Sequence, residues 1–207
     1  MKGKFITFEG CEGVGKSRQI KLLEEYLVKN GIQYYLTREP GGTEISEQIR
    51  AIILDGKNLA MTDECEALLY AAARVQLIKE EIEPRLKRGE LVFCDRYVDS
   101  SLAYQGKARG LGYDFIRNIN AYACDNFMPD LTIFLNLSPE DAFKRKGGAD
   151  SADRLEISGM EFHKRVYAGY LELAGKNPER FAVIDASGTK EQTSGKIVAV
   201  LKEKGII

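Results

Sequence analysis

Residues 5 to 17 read Phe5-Ile6-Thr7-Phe8-Glu9-Gly10-Cys11-Glu12-Gly13-Val14-Gly15-Lys16-Ser17. Phe5 to Phe8 has the length and apolarity of a short buried strand. Gly10 to Ser17 fits G-x-x-x-x-G-K-[ST], the loop that cradles a nucleoside triphosphate. Gly10, Gly13 and Gly15 let backbone N–H groups turn inward with no Cβ between them and a phosphate. Lys16 sets an ammonium near the β- and γ-phosphates, and the Ser17 hydroxyl is suited to ligate Mg²⁺. The amphipathic stretch Lys16 to Asn30 turns the positive end of its dipole toward the same anion. A chance glycine-rich turn would lack the strand before it and the helix after it. Gly10 to Ser17, with Arg18 beside them, therefore predict a triphosphate site.

Working outward, apolar bursts of strand length alternate with amphipathic stretches of helix length. The predicted strands are Phe5–Phe8, Tyr34–Thr37, Leu91–Cys94, Leu131–Leu135 and Phe181–Ile184. The predicted helices are Lys16–Asn30, Glu44–Asp55, Thr62–Arg88 with Pro84 as a kink, Pro139–Lys146, Leu155–Lys176 and Lys190–Lys204. Apolar strands separated by helices imply an α/β three-layer sandwich around a five-stranded parallel sheet. One domain over 1–207 is expected, with a lid segment at about 144–156. Ligands in such sheets sit beyond the carboxyl ends of the strands, so each strand exit is a candidate site.

At the first exit, Glu12 is a carboxylate inside a phosphate loop. It reads either as a solvent-facing acid or as a group turned toward a second substrate or a metal's water. The second exit, Arg38-Glu39-Pro40-Gly41-Gly42-Thr43, makes a turn that Thr43 can cap. Arg38 there and Arg50 on the next helix suit a phosphate or simply the surface. On the helix from Thr62, Cys65, Leu68, Leu69, Ala72 and Gln76 predict a core stripe. Tyr70 and Arg74, four apart on another face, read first as a surface contact and second as a sandwich for a planar base.

The third exit is Asp95-Arg96-Tyr97. An acid ending a buried strand suits the water shell of a magnesium ion, and Arg96 suits a phosphoryl group. Tyr97, Ser100, Ser101 and Tyr104 recur at i, i+3, i+4 and i+7, which predicts a polar face fit for a nucleoside. Lys144-Arg145-Lys146, before Gly147-Gly148, and Arg154 read equally as a helix C-terminal charge complement or as a mobile lid carrying cations. The last exit, Asp185-Ala186-Ser187-Gly188, is a small-residue loop that could rest against adenine.

Composition narrows the class. Of 207 residues, 44% are hydrophobic and 29% charged, with net charge −1, which fits a soluble globule and argues against a broad basic face for nucleic acid. No apolar run approaches a membrane span. Met1 to Lys4 lead straight into a strand, so no signal peptide is expected. Cys11, Cys65, Cys94 and Cys124 are scattered and His163 is the sole histidine. That pattern predicts reduced thiols in the cytoplasm and no zinc site.

These residues resemble the thymidylate kinases nearly end to end. Phe8 to Ser17 is similar to that family's phosphate loop, and Arg38-Glu39-Pro40-Gly41-Gly42-Thr43 to its second motif. Asp95-Arg96-Tyr97-Val98-Asp99-Ser100-Ser101-Leu102-Ala103-Tyr104-Gln105 resembles its signature, far more specific than a phosphate loop alone. Asp153-Arg154-Leu155-Glu156 and Asp185-Ala186-Ser187 are similar to its lid and adenine loop. The resemblance implies a P-loop nucleoside monophosphate kinase fold and phosphorylation of dTMP to dTDP with ATP and Mg²⁺, in dTTP synthesis, usually by a homodimer.

It implies roles as well. Tyr70 stacks on thymine, Arg74 bonds its edge and Ser101 contacts it from the other side, with Ser100 and Gln105 nearby. Tyr104 crowds the 2′ position, Glu12 meets the 3′-hydroxyl and Arg96 grips the substrate phosphate with Arg38 and Arg50. Two departures stand out: Tyr70 where phenylalanine is common, and Arg18 where a small hydroxyl residue is common. Some members carry an arginine at the Gly13 position. Its absence here assigns the catalytic cation to a basic lid, to Arg145 and Arg154, alongside Lys16, Asp95 and Arg96. Rival readings are another kinase of this fold, a GTPase, which the missing N-K-x-D motif opposes, and a non-enzymatic ATP-binding module.

Overall fold

The computed structural model describes residues 3–146 and 158–207, the Lys146 side chain excepted. Five strands, β1 (Lys4–Glu9), β2 (Tyr35–Arg38), β3 (Leu91–Asp95), β4 (Leu131–Asn136) and β5 (Phe181–Asp185), form one parallel sheet in the order β2-β3-β1-β4-β5. The five predicted strands are all present, shifted by a residue or so at their ends. Phe8 lies opposite Asp95 on one side and opposite Ile133 on the other, and Arg38 lies opposite Asp95. Register alone thus delivers the phosphate loop, Asp95 and the β2 exit to one edge.

The helices are α1 (Lys16–Lys29), α2 (Glu44–Leu54), α3 (Asp63–Leu77), α4 (Glu83–Lys87), α5 (Val98–Ser101), α6 (Tyr113–Ile119), α7 (Ala121–Asn126), α8 (Pro139–Lys146), α9 (Met160–Lys176) and α10 (Lys190–Glu203). Local chemistry sets several ends. Thr43 and Thr62 cap α2 and α3 by accepting from Ser46 and Cys65 backbone N–H groups. Thr189 and Gln192 form a capping box on α10. One core cluster, containing Ile6, Phe8, Leu27, Phe134, Val166 and Leu201, lies under α1, α9 and α10. A second, containing Phe5, Leu77, Ile82, Val92 and Tyr97, lies under α3 and α4.

Three expectations are corrected. The single predicted helix Thr62–Arg88 is broken by a π-helical stretch, Ile78–Ile82, before α4. Pro84 has no N–H and its ring crowds the preceding turn, so the ladder widens ahead of it. The predicted start at Leu155 lies outside the described residues. Helix α9 begins at Met160, after Gly159 at φ 84°. The third correction is the face of α3. Cys65 is exposed, as is Ala72, and Leu68 is 51% exposed. The helix instead buries Glu66, Ala67, Ala71, Ala73, Arg74 and Leu77. Hydropathy misreads it because the two buried charges are compensated within the fold.

Candidate active site

The phosphate loop follows β1 without a break. Gly13 (φ 77°) and Gly15 (φ 90°) are left-handed, and a Cβ on Gly13 would lie 2.9 Å from the Ala142 carbonyl oxygen. Lys16 opens α1, and its Nζ pairs with Asp95 Oδ1 at 2.8 Å. A groove of roughly 470 Å³ runs from Glu12, Gly13, Val14, Gly15, Lys16 and Ser17 past Arg18 to Arg145, Ala186 and Gly188. Cys11, also on its wall, is a buried thiol that burial pushes up to about 12, so it stays neutral and inert there. Ser17 and Asp95 also share a neighbouring cavity.

Arg145 occupies a place the sequence did not suggest. Its guanidinium donates to the Ala186 carbonyl at 2.6 Å and to the Ser187 carbonyl. Helix α8 leaves β4 beside the β5 exit, so the side chain reaches the neighbouring loop. Arg145, expected over the reacting phosphoryl group, lines the groove of the phosphate loop with its guanidinium on the loop after β5. Arg154 and the rest of the proposed lid beyond Lys146 lie outside the described residues.

Beyond the phosphate loop, Glu12, Lys16, Ser17, Arg38, Arg50, Tyr70, Asp95 and Arg96 enclose a cleft of roughly 180 Å³. Arg38 is ion-paired to Glu47 at 2.8 Å, and Arg50 donates to the Pro40 carbonyl at 2.9 Å. Arg96 is the one described non-glycine residue at positive φ, 69°. It donates to the Gly10 carbonyl, Ser100 and Tyr170, and pairs with Glu12. Burial opposes ionisation of Glu12, yet Arg96 and then Lys16 hold its carboxyl below the usual range. Tyr104 also donates to Glu12, at 3.2 Å.

A narrow pocket continues from this cleft, lined by Glu12, Glu39, Tyr70, Arg74, Arg96, Tyr97, Ser100, Ser101, Tyr104 and Gln105. The face predicted from Tyr97, Ser100, Ser101 and Tyr104 is here, carried from α5 into a π-helical run, Leu102–Ala108, that adds Gln105. Arg74 is not a surface residue: it is 1% exposed. Its Nε donates to Glu39 at 2.8 Å, Nη1 to Asn120 at 2.5 Å and Nη2 to Ser101 at 3.1 Å. Burial raises the Glu39 carboxyl to about 7 against the pull of Arg74.

The motifs did not single out Glu9, Glu39, Glu66, Asn120 or Tyr170. Glu9 accepts from the Tyr97 N–H at 2.8 Å, Ser100 at 2.6 Å and Tyr170 at 2.8 Å. It thereby anchors the turn that bears Arg96. Burial first, and Asp99 second, raise its carboxyl to about 7. An acid immediately ahead of a phosphate loop, at the end of a buried strand, was a usable signal for Glu9. Asn120 and Tyr170 sit in ordinary helical sequence and carried none.

A triphosphate groove that meets a second, arginine-lined cleft across the phosphate loop defines a P-loop kinase with a nucleotide-sized acceptor site. A family model described as "Thymidylate kinase" matches residues 8–197. The chain is 47% identical over 203 residues to the thymidylate kinase of Clostridium novyi, covering 97% of this chain and 99% of that one. It is 47% identical over 205 residues to that of Bacillus pumilus, with 98% and 97% covered. The crystal structure of thymidylate kinase from Ehrlichia chaffeensis superposes with TM-score 0.79 at 32% identity, covering 98% and 99% of the two chains. The chain belongs to the thymidylate kinase family.

Proposed function

We propose that this chain transfers the γ-phosphoryl group of ATP to dTMP, giving dTDP for dTTP synthesis. The observation that carries the reading is the junction of groove and base pocket at Glu12, Lys16, Asp95 and Arg96. The loop N–H groups and Lys16 hold the ATP phosphates, with Arg18 at the rim and Ala186 and Ser187 at the adenine end. Arg38, Arg50 and Arg96 receive the dTMP phosphate and spread charge off the transferring group. Tyr70 supplies a ring face to thymine, and Arg74, Ser101 and Gln105 its polar edge. Glu12 takes the 3′-hydroxyl and Tyr104 fills the space a 2′-hydroxyl would need. Ser100, held by Glu9, supports Arg96 from below.

Ser17 and Asp95 border one cavity, and among the described residues no cluster of three or more His, Cys, Asp or Glu forms a metal cage. That donor set suits Mg²⁺, which keeps its waters and binds through phosphate and few protein oxygens. Mg²⁺ would neutralise charge between the β- and γ-phosphates. Arg154 is proposed as a lid cation. No helix among the described residues is long and apolar enough to cross a membrane, and the four cysteines are free thiols, in keeping with a cytoplasmic enzyme.

A homodimer is part of the reading. Ile45 and Ile52 on α2 and Leu68 and Val75 on α3 are 52%, 48%, 51% and 37% exposed, and a second copy would cover them. The test of the activity is ADP release from ATP and Mg²⁺ across dTMP, dUMP, dCMP and ribothymidine monophosphate. Turnover should be fastest with dTMP and slow with the ribose analogue. Equal kcat/KM across the panel would reject the reading.

A further inference from the structure

We infer that Glu66 is a positioning residue for base specificity. From behind the pocket it turns the Gln105 carboxamide so that an acceptor oxygen, not an amine, faces the pyrimidine edge. The inference rests on the dTMP reading above.

Glu66, Tyr70 and Arg74 recur every fourth residue on α3 and so share one face. Tyr70 and Arg74 reach the base pocket, together with Gln105 from the π-helical run. Glu66 lies deeper, fully buried at 0% exposure. Its Oε1 accepts from Gln105 Nε2 at 2.7 Å. Its charge is met by Arg109, whose Nη2 lies 3.1 Å from Oε2. Arg109 is itself fixed by Asp63 at 3.3 Å and by the Phe162 ring at 4.7 Å.

A carboxylate paired with arginine only accepts hydrogen bonds. Glu66 can therefore hold the amine end of Gln105 and not the oxygen end. Among the described residues Gln105 Oε1 takes no hydrogen bond, and it is what remains for the pocket. Across that pocket Arg74 offers donors only.

The pocket edge thus presents one acceptor and one donor. Thymine answers with its N3–H donor and O4 acceptor. Cytosine carries an acceptor at N3 and an amine at C4, so it would meet acceptor with acceptor and donor with donor. Gln105 alone could rotate its amide by half a turn and answer the N3 position of either base, leaving only the Arg74 donor to discriminate at C4. Glu66 removes that freedom, so the selection is set one residue behind the contact.

The experiment measures kcat/KM for dTMP and for dCMP with ATP in the wild type, Glu66→Met, Glu66→Gln, Gln105→Met and the double variants. The dTMP-to-dCMP ratio should fall by ~10-fold or more in Glu66→Met, with the KM for ATP nearly unmoved, because a binding edge and not the transfer machinery is altered. Glu66→Gln, which keeps one oxygen, should retain more of the ratio. In the Gln105→Met background neither Glu66 variant should change the ratio further, since the effect passes through Gln105. A Glu66→Met enzyme whose two efficiencies fall equally, or whose effect multiplies with that of Gln105→Met, would overturn the inference. If Glu66→Met does not fold, the same cycle with Glu66→Gln decides it: an equal change of ratio in both backgrounds rejects the role. A wild type that turns over no dTMP rejects the underlying reading instead, whereas good dTMP turnover with an unmoved ratio rejects Glu66 alone.

Discussion

Arg74 ties one buried charge both to stability and to the proposed recognition of the base. Removing it leaves Glu39 in the core with no cation, a loss typically worth ~3–5 kcal/mol. The Glu39 carboxyl already sits near 7 rather than 4.5. A raised carboxyl loses stability as pH climbs toward its folded value, and without Arg74 that value rises further. The Tm deficit of Arg74→Ala should therefore be larger at pH 8 than at pH 6, read by thermal melts at both. At a pH where the variant is folded, calorimetry should show dTMP binding weakened and ATP binding little changed. Lys16→Ala tests the opposite kind of residue. Lys16 lines the groove, and among the described residues its ion pair is with Asp95. The variant should fold normally and lose at least ~10²-fold in kcat, with unchanged circular dichroism as the control.

At the scale of elements, the phosphate loop, the Asp95 exit and the polar face from Tyr97 to Tyr104 were readable because each is local: spacing along the chain is spacing in the site. The readers of the pocket were half readable. Tyr70 and Arg74 declared their pairing at i and i+4, but not the burial of Arg74, because its partners Glu39 and Asn120 lie 35 and 46 residues away. The same distance effect hid Glu66, whose neutralising Arg109 is 43 residues away, and turned α3 inside out in a hydropathy reading. Helix α8 carries the other lesson. Basic residues before Gly-Gly suggested a lid or a helix C-terminal charge complement, and the fold adds a tie from Arg145 to the loop after β5. Arg145→Ala should then raise the KM for ATP, by ~10-fold, with kcat within a few-fold of wild type, as for a group that binds ground and transition states alike. A collapse of kcat at unchanged KM would return Arg145 to the reacting phosphoryl group.

At the scale of the molecule, the sheet order β2-β3-β1-β4-β5 sets two cavities on either side of β1, with the proposed acceptor side toward β2 and β3 and the proposed donor-base side toward β4 and β5. The α2–α3 layer that closes the acceptor side is also the one with exposed Ile45, Ile52, Leu68 and Val75. Dimerisation would therefore brace the substrate pocket from outside. Leu68→Glu combined with Ile52→Glu should shift the chain to a monomer in light scattering, and lower the affinity for dTMP more than that for ATP. A wild type that is already monomeric at assay concentration would reject the dimer.

The four thiols divide this molecule into addressable zones. Cys94 is buried with its thiol raised well above the ordinary range, and Cys11 is buried on the phosphate loop. Cys65 is exposed, on the same α3 face as Leu68. A maleimide dye should consequently attach at Cys65 first in the free monomer, sparing the nucleotide groove, and be shut out where a second copy covers that face. The native chain thus carries its own reporter of association: the rate of Cys65 labelling should fall as protein concentration rises and the dimer forms.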